Sequence, residues 1–447
     1  MKERLSAIPF LILVALSILG LIFSNIPSKP MSTDGIIAGD VAWMLGAAGL
    51  VLLMTPGLAL FYGGMVSAKN MISTMLQSFI CMGIISVLWV VVGFSLAFGD
   101  SIGGLIGDPR TYFMFRGILE SKPWTLASTI PLVLFAFFQL KFAVIAPALI
   151  TGSFSERIRF TSYILFVCLF SMFIYAPIAH WTWHPDGILF KMGVLDFAGG
   201  TVVHISAGCA ALAAALYLGQ RKTGELHTTP ANIPFVLIGT GLLWFGWFGF
   251  NAGSAVGANI LAAIALATTN TAAASAGFAW ILFDAVKGKK PSALGFCIGS
   301  VVGLVAITPA AGYVTIPNSI FIGTAASLIS NMVVAWRAKS SIDDTLDVFP
   351  CHGVGAIVGT LLTGVFAHQA INPANTTGNG LLYGETKLFL MHLAALGIVI
   401  GFSFFGSLIL LKITDLISPL GVTREEELVG LDLTQHGEQV LEVLAPV

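Results

Sequence analysis

Apolar residues fill this chain in runs too long for a soluble fold. Stretches of about 20 residues recur near 40–63, 71–98, 126–152, 161–179, 196–219, 232–254, 258–285, 293–312, 319–336, 351–367 and 388–412. A helix of that length crosses a hydrocarbon core of ~30 Å. A backbone in lipid must satisfy its own hydrogen bonds, so each run predicts a helix. The pattern is that of an all-α integral membrane protein with eleven transmembrane helices. Ten divide into two sets of five. An odd number per set turns the second half over in the bilayer, giving an inverted repeat. The eleventh is an added brace helix.

Residues 1–30 stand apart. Lys2 and Arg4 precede IPFLILVALSILGLIF and then the polar stretch SNIPSKP. That is the layout of a signal peptide or of an uncleaved signal-anchor helix, and the sequence leaves both open. Either way the 40–63 run begins outside. With that orientation the basic residues Lys69, Arg157, Arg159, Arg221, Lys222, Lys287, Lys289 and Lys290 collect on the inside, as the positive-inside rule requires. The chain then divides into a leader or anchor (1–30), one membrane domain (31–412) and a cytoplasmic tail (413–447).

Composition agrees: 56% of residues are hydrophobic and 10% charged, against about 25% charged in soluble domains. The formal net charge of −1 and the lack of a basic stripe give no reason to expect nucleic acid. The five cysteines lie inside apolar runs, odd in number and without a CxxC pair, so they read as packing residues and not as disulfides or zinc ligands. No nucleophile–base pair or metal-ligand cluster stands out. An enzyme, a resident metal and a cofactor are therefore not expected.

Ionisable groups at bilayer depth are costly and mark pathways or relays. His204 and His352 lie in apolar runs, and each has an aspartate eight residues upstream, Asp196 and Asp344. The repeated offset suggests that the two histidines meet near the midplane under inverted symmetry. Paired imidazoles offer donor, acceptor and a proton site near neutrality. The plainer reading is two unrelated core histidines, each bonded to a carbonyl. Asp196 and Asp344 stand near helix starts, where a carboxylate caps backbone N–H groups. In GWFGFNAGS, Phe250 and Ser254 fall on one helix face. Trp183, in the expected outer loop HWTWHPDG, has the ring best suited to attract a cation. Such aromatics also serve as core or interface belt.

Taken together, PGLALFYGGMVSAKN (56–70), FSLAFGD (94–100), FFQLKFAVIAPALITGSFSERIRF (137–160), DFAGGTVVHISAG (196–208), GWFGFNAGS (246–254), ITPAAGY (307–313), DVFPCHGVGAIVG (347–359) and GLDLTQHGE (430–438) make the chain resemble the ammonium transporter (Amt/Rh/Mep) family, nearer its bacterial Amt branch. The resemblance implies a homotrimer in the cell inner membrane, with one narrow ammonium- or ammonia-conducting pore per subunit. It implies that Trp183 and Ser254 recruit ammonium outside, with Phe142 as a further wall. Phe142 and Phe250 then form a stacked gate, His204 and His352 line the pore, and Asp196, matched by Asp344, is the structural acid. Gln139 belongs to the same motif without an assigned contact. The tail motif implies contacts between subunits and a docking surface for a trimeric PII-type signalling protein.

Three features depart from the family pattern. Lys141 sits inside a span beside Phe142, about 100° around the helix from it, and is expected to face a neighbouring helix or subunit. His184 and Asp186 follow Trp183 where glycines are common. Pro350 and Cys351 precede His352. Lys141 and Asp186 motivate an alternative, an ammonium sensor with this fold that binds the ion and signals with weak or no transport.

Overall fold

A computed structural model describes residues 2–23, 26–27, 33–224 and 229–440, with side chains from residue 9 onward. The architecture is helical. Ten described helices are long and apolar enough to cross a membrane: Ala38–Met65, Ala68–Phe98, Leu132–Phe154, Phe160–Met192, Gly200–Leu218, Ile233–Gly253, Ile260–Val286, Ile316–Arg337, Phe349–Phe366 and Lys387–Ile417. The expected run at 293–312 is the shorter apolar helix Ala293–Ile307. Strand is confined, among the described residues, to the small hairpin Ser101–Ile102 with Ile106–Gly107. Residues Lys2–Ile22 form a further helix, with Phe10, Leu11 and Leu21 exposed. Positions 24, 25 and 28–30 of the expected leader or anchor lie outside the described residues, as does the tail end 441–447.

Several boundaries differ from those the hydropathy predicts, each for a local reason. The third span begins at Leu132 and not near 126, because Pro131 sits extended as its N-cap and 126–131 is turn. The fourth continues beyond 179. Its Ala176–Trp183 segment carries the tryptophan assigned to a loop, and the chain breaks only at 184–187. The last helix runs to Ile417, five residues past the expected domain edge at 412. It stops before Pro419, where the Asp415 carboxylate accepts the Leu420 N–H (3.0 Å).

The Leu132–Phe154 and Gly200–Leu218 helices are buried along most of their length, whereas Lys387–Ile417 packs mainly by one side at the periphery. Lys141 turns to the outside of the chain as expected. Its Nζ lies 5.8 Å from the ring centroid of Phe137, one turn earlier and itself exposed.

One end of the bundle is tied by buried charge. Arg157 and Arg221 converge on Asp343, at 2.8 Å and 3.0 Å, and Arg221 also reaches Glu156 at 2.5 Å. Glu156 in turn accepts the Ser67 N–H (2.8 Å). Burial pushes the Asp343 carboxyl up, but Arg157 and Arg221 outweigh it and hold it below the ordinary carboxylate range. Four inter-helix connections are thereby locked together. The tail docks on the same face. Asp432 accepts the N–H groups of Ile72 (3.0 Å) and Ser73 (2.7 Å), capping a helix about 360 residues earlier in the chain. Asn70 Oδ1 accepts the Leu431 N–H (2.7 Å), and Glu427 accepts those of Lys222 (2.7 Å) and Thr223 (3.2 Å).

Replacing Asp343 with alanine leaves two buried guanidiniums without their shared carboxylate. The expected loss is about 3–5 kcal/mol, as for one partner removed from a buried pair. A thermal unfolding midpoint in detergent indistinguishable from that of the parent protein contradicts this account.

Candidate functional site

Five of the residues singled out along the sequence, Trp183, Phe142, Phe250, His204 and His352, stand ring against ring in a single file. Trp183 stands edge-on to Phe142, with ring centroids 5.8 Å apart at 88°. Phe142 and Phe250 stack at 4.1 Å and 22° and are almost wholly buried. Phe250 lies 6.0 Å from the His204 ring. His204 and His352, 148 residues apart, approach at Nδ1···Nδ1 3.4 Å. Their rings are 5.5 Å apart and inclined by 17°.

The chain achieves this with matched local devices. Each histidine sits in a π-helical segment at the start of its span, Gly200–Ile205 and Phe349–Val354. A π turn widens the helix and re-aims a side chain, and such turns often accompany functional sites. Upstream, the Asp196 carboxylate accepts the N–H groups of Gly199 (2.8 Å), Gly200 (2.7 Å) and Thr201 (2.7 Å), and the Thr201 hydroxyl as well. Asp344 accepts that of Phe349 (2.8 Å). Both aspartates are therefore helix caps, Asp196 the more fully bonded. The backbone carbonyl of Asp196, and not its carboxylate, accepts the Trp183 indole N–H (3.1 Å).

Beyond the histidines the two spans cross backbone to backbone. A Cβ on Gly208 would collide with the main chain of Gly353, so glycine at 208 sets how closely His204 and His352 approach. His352 also lines a cavity of about 10 Å³ with Phe61, Tyr62, Met65 and Cys351, room for one water-sized molecule. Since two Nδ1 atoms face each other, one must carry hydrogen and the other a lone pair, so the rings hold opposite tautomers. His204 Nε2 is buried and has no hydrogen-bond partner among the described residues.

Ser254 caps the Ile233–Gly253 helix, and its hydroxyl donates to the Phe250 carbonyl (2.8 Å). The hydrogen is thus committed and the oxygen lone pairs remain available. The residues after Trp183 are drawn elsewhere. Asp186 is exposed and pairs with Lys191 at 2.8 Å. His184 stacks on His180 at 4.3 Å and accepts the Asp186 N–H (3.0 Å). Pro350 occupies the first turn of its helix, where its missing N–H costs nothing, so the segment starts without distortion from it.

Trp247 was missed by sequence reasoning. It lies flat against His204 (5.3 Å, 12°), with its indole N–H held by Thr308 Oγ1 (2.9 Å). Its place in GWFGFNAGS, one helical turn before Phe250, is a usable signal: the face that carries Phe250 also carries Trp247.

Comparison with known proteins gives a consistent result. A family model described as Ammonium Transporter Family matches residues 42–441. The chain is 46% identical to an ammonium transporter of Aquifex aeolicus over 428 residues, covering 95% of this chain and 99% of that one. It is 45% identical to an ammonium transporter of Bacillus subtilis over 409 residues, covering 90% and 98%. The crystal structure of Saccharomyces cerevisiae Mep2 superposes with a TM-score of 0.82 at 32% identity, covering 88% of this chain and 89% of that one.

Gly208→Ala inserts a methyl group into the backbone crossing. It is expected to destabilise the protein by about 1–3 kcal/mol through overpacking and to push the two imidazoles out of mutual hydrogen-bond reach. Thermal unfolding and an experimental structure of the variant check both effects; an unmoved histidine pair argues against the crossing as its spacer.

Proposed function

Because the chain belongs to the ammonium transporter family, whose members are membrane transporters and not enzymes, we propose that it moves ammonium by cation recruitment followed by passage of ammonia through a twin-histidine pore. The observation that carries this reading is the unbroken file from Trp183 through Phe142 and Phe250 to His204 and His352.

The chemistry follows the file. An ammonium ion at the outer end meets the Trp183 ring face, which attracts cations. The Ser254 oxygen, its own hydrogen engaged, accepts one ammonium N–H. A cation cannot go further cheaply, since desolvating a charge in an apolar passage is prohibitive unless it is paired or neutralised. The stacked Phe142–Phe250 pair enforces that choice: the rings swing aside to admit a small molecule, and stripping the proton converts the ion to a neutral one. The ion gives its proton to His204 Nε2, the His204 Nδ1 proton passes to His352 Nδ1 and His352 releases its Nε2 proton, so both rings change tautomer and neither keeps a charge. His204 Nε2, without a hydrogen-bond partner among the described residues, is the acceptor offered to the permeant molecule. Asp196 acts at one remove, fixing the start of the His204 segment and the Trp183 indole.

The assembly we propose is a homotrimer in the cell inner membrane, surrounded by lipid, with the outer end of the file outside and the tail in the cytoplasm. The tail's docking through Asp432, Glu427 and Leu431 supports a regulatory role, with the same face open to a PII-type signalling protein. A sensor without transport gains nothing from the features that suggested it. Lys141 faces out of the chain beside Phe137, and the Asp186 carboxylate is paired with Lys191.

Ammonium-evoked current on supported membranes loaded with the protein tests the transport reading; silence while ammonium still binds favours the sensor. His204→Ala and His352→Ala are each expected to lower flux about 10-fold or more, within what a positioned proton-transfer group contributes, or to admit potassium. Flux and selectivity unchanged in both variants remove the histidines from the mechanism.

Asp432→Ala uncaps the Met71–Leu88 helix and costs about 1 kcal/mol locally. The variant is expected to release the tail and to alter flux cooperatively in mixed trimers. Subunits that act independently, with normal flux, reduce the tail to a passive end.

A further inference from the structure

Another buried histidine has no part in the pathway just described. His392 lies in the peripheral Lys387–Ile417 helix and is wholly inaccessible. Both ring nitrogens are engaged. Nδ1 contacts the Thr360 carbonyl at 2.7 Å, and Nε2 accepts the backbone N–H of Leu195 at 3.1 Å. A carbonyl can only accept and an amide N–H can only donate, so the ring is neutral with its hydrogen on Nδ1. The space it occupies is prepared. Gly364 lacks the Cβ that would stand 3.4 Å from Nδ1 and 3.0 Å from the Phe389 Cα.

What His392 holds is the connection that shapes the outer site. Leu195 immediately precedes Asp196, whose carbonyl receives the Trp183 indole N–H and whose carboxylate caps the His204 segment. The Leu195 side chain is gripped by the same peripheral helix, packing with Leu388, one turn before His392, and with Ala367. The neighbouring links are to other elements: Thr377 donates to the Gly193 carbonyl (2.7 Å), and the Phe197 N–H reaches the Pro309 carbonyl (3.2 Å). At Leu195, the residue before Asp196, the backbone N–H is accepted by His392.

We propose that His392 is a positioning residue for ammonium recruitment, fixing the Leu195–Asp196 backbone so that the Asp196 carbonyl holds the Trp183 indole in place. The assignment rests on the reading of Trp183 as the outer cation site. A buried amide N–H deprived of its acceptor seeks another partner, and the shortest adjustment is a rotation of the Val194–Leu195 peptide that carries it, which shifts the Asp196 backbone that follows. That movement displaces the tryptophan and leaves the histidine pair, held by its own backbone crossing, in place. The effect therefore falls on apparent affinity and spares maximal transport.

The full-length protein, reconstituted in liposomes, is assayed by ammonium-evoked current across a concentration series. His392→Leu is expected to raise the half-saturating concentration several-fold while the maximal current stays within about 2-fold, the remote contact being one of binding and not of the rate-limiting passage. His392→Gln, whose amide carries one donor and one acceptor, restores the parent value. Trp183→Phe, which removes the indole N–H, raises the half-saturating concentration itself, and adding His392→Leu to it raises it no further. Should His392→Leu fail to assemble, Gly364→Ala, which crowds Nδ1, takes its place in the same comparison. An unchanged half-saturating concentration in His392→Leu, or a full multiplicative increase in the double variant, overturns the proposal. Trp183→Ala separates the two levels. If it leaves the half-saturating concentration unchanged, the recruitment reading itself fails. If it raises that concentration while His392→Leu does not, only the role of His392 is lost.

Discussion

The pairing of His204 with His352 depends on a backbone contact between two helices that each begin with a turn of π-helix. Where Gly208 meets Gly353, the main chains touch, and the histidines preceding them are brought within hydrogen-bond range. A bilayer supplies no hydrophobic force to press helices together, so close packing of small residues must do it. With that crossing in place, two polar side chains can sit at bilayer depth because each is the other's partner. Without it, each is a buried group in need of water.

The aspartates belong to the same logic. A helix that starts inside the membrane exposes unsatisfied N–H groups where no water can reach them. Asp196 answers with one carboxylate that takes three backbone donors and a hydroxyl, and Asp344 does so more sparingly. Neither carboxylate is spent on the Trp183 indole, which is held by a carbonyl. The acid thus bears on Trp183 through its backbone and not through its charge. The same economy recurs at the tail, where Asp432 caps a distant helix and ties the end of the chain to the membrane bundle.

Charge is distributed to match. Between Trp183 and His352 the neighbouring groups are the aromatic rings of Phe142, Phe250 and His204. Formal charge gathers instead on the tail face, where Arg157 and Arg221 share Asp343, and Arg221 also holds Glu156. Asp343 is the member both guanidiniums share, so this network locks several connections as a unit. The face that anchors the tail is accordingly rigid, whereas the aromatic pair above the histidines is held by ring stacking.

The membrane class, the approximate helices and the pairing of His204 with His352 were legible in the sequence alone. Hydropathy is a local sum over about 20 residues, and the equal eight-residue offsets are visible in one dimension. The motif GWFGFNAGS likewise held Phe250 and Ser254 on one helix face before any contact was known. Other features became legible only in three dimensions. Trp183 belongs to a helix and not to a loop because the chain stays helical until the break at 184–187. Asp186 is taken by Lys191 and Lys141 by the outer surface, so residues that suggested a reshaped site stand aside from it. Trp247 against His204, and His392 beneath Leu195, join residues 43 and 197 positions apart. Such pairings depend on how helices cross, and a crossing is set by packing among many side chains at once, which no local pattern of apolar and polar residues encodes.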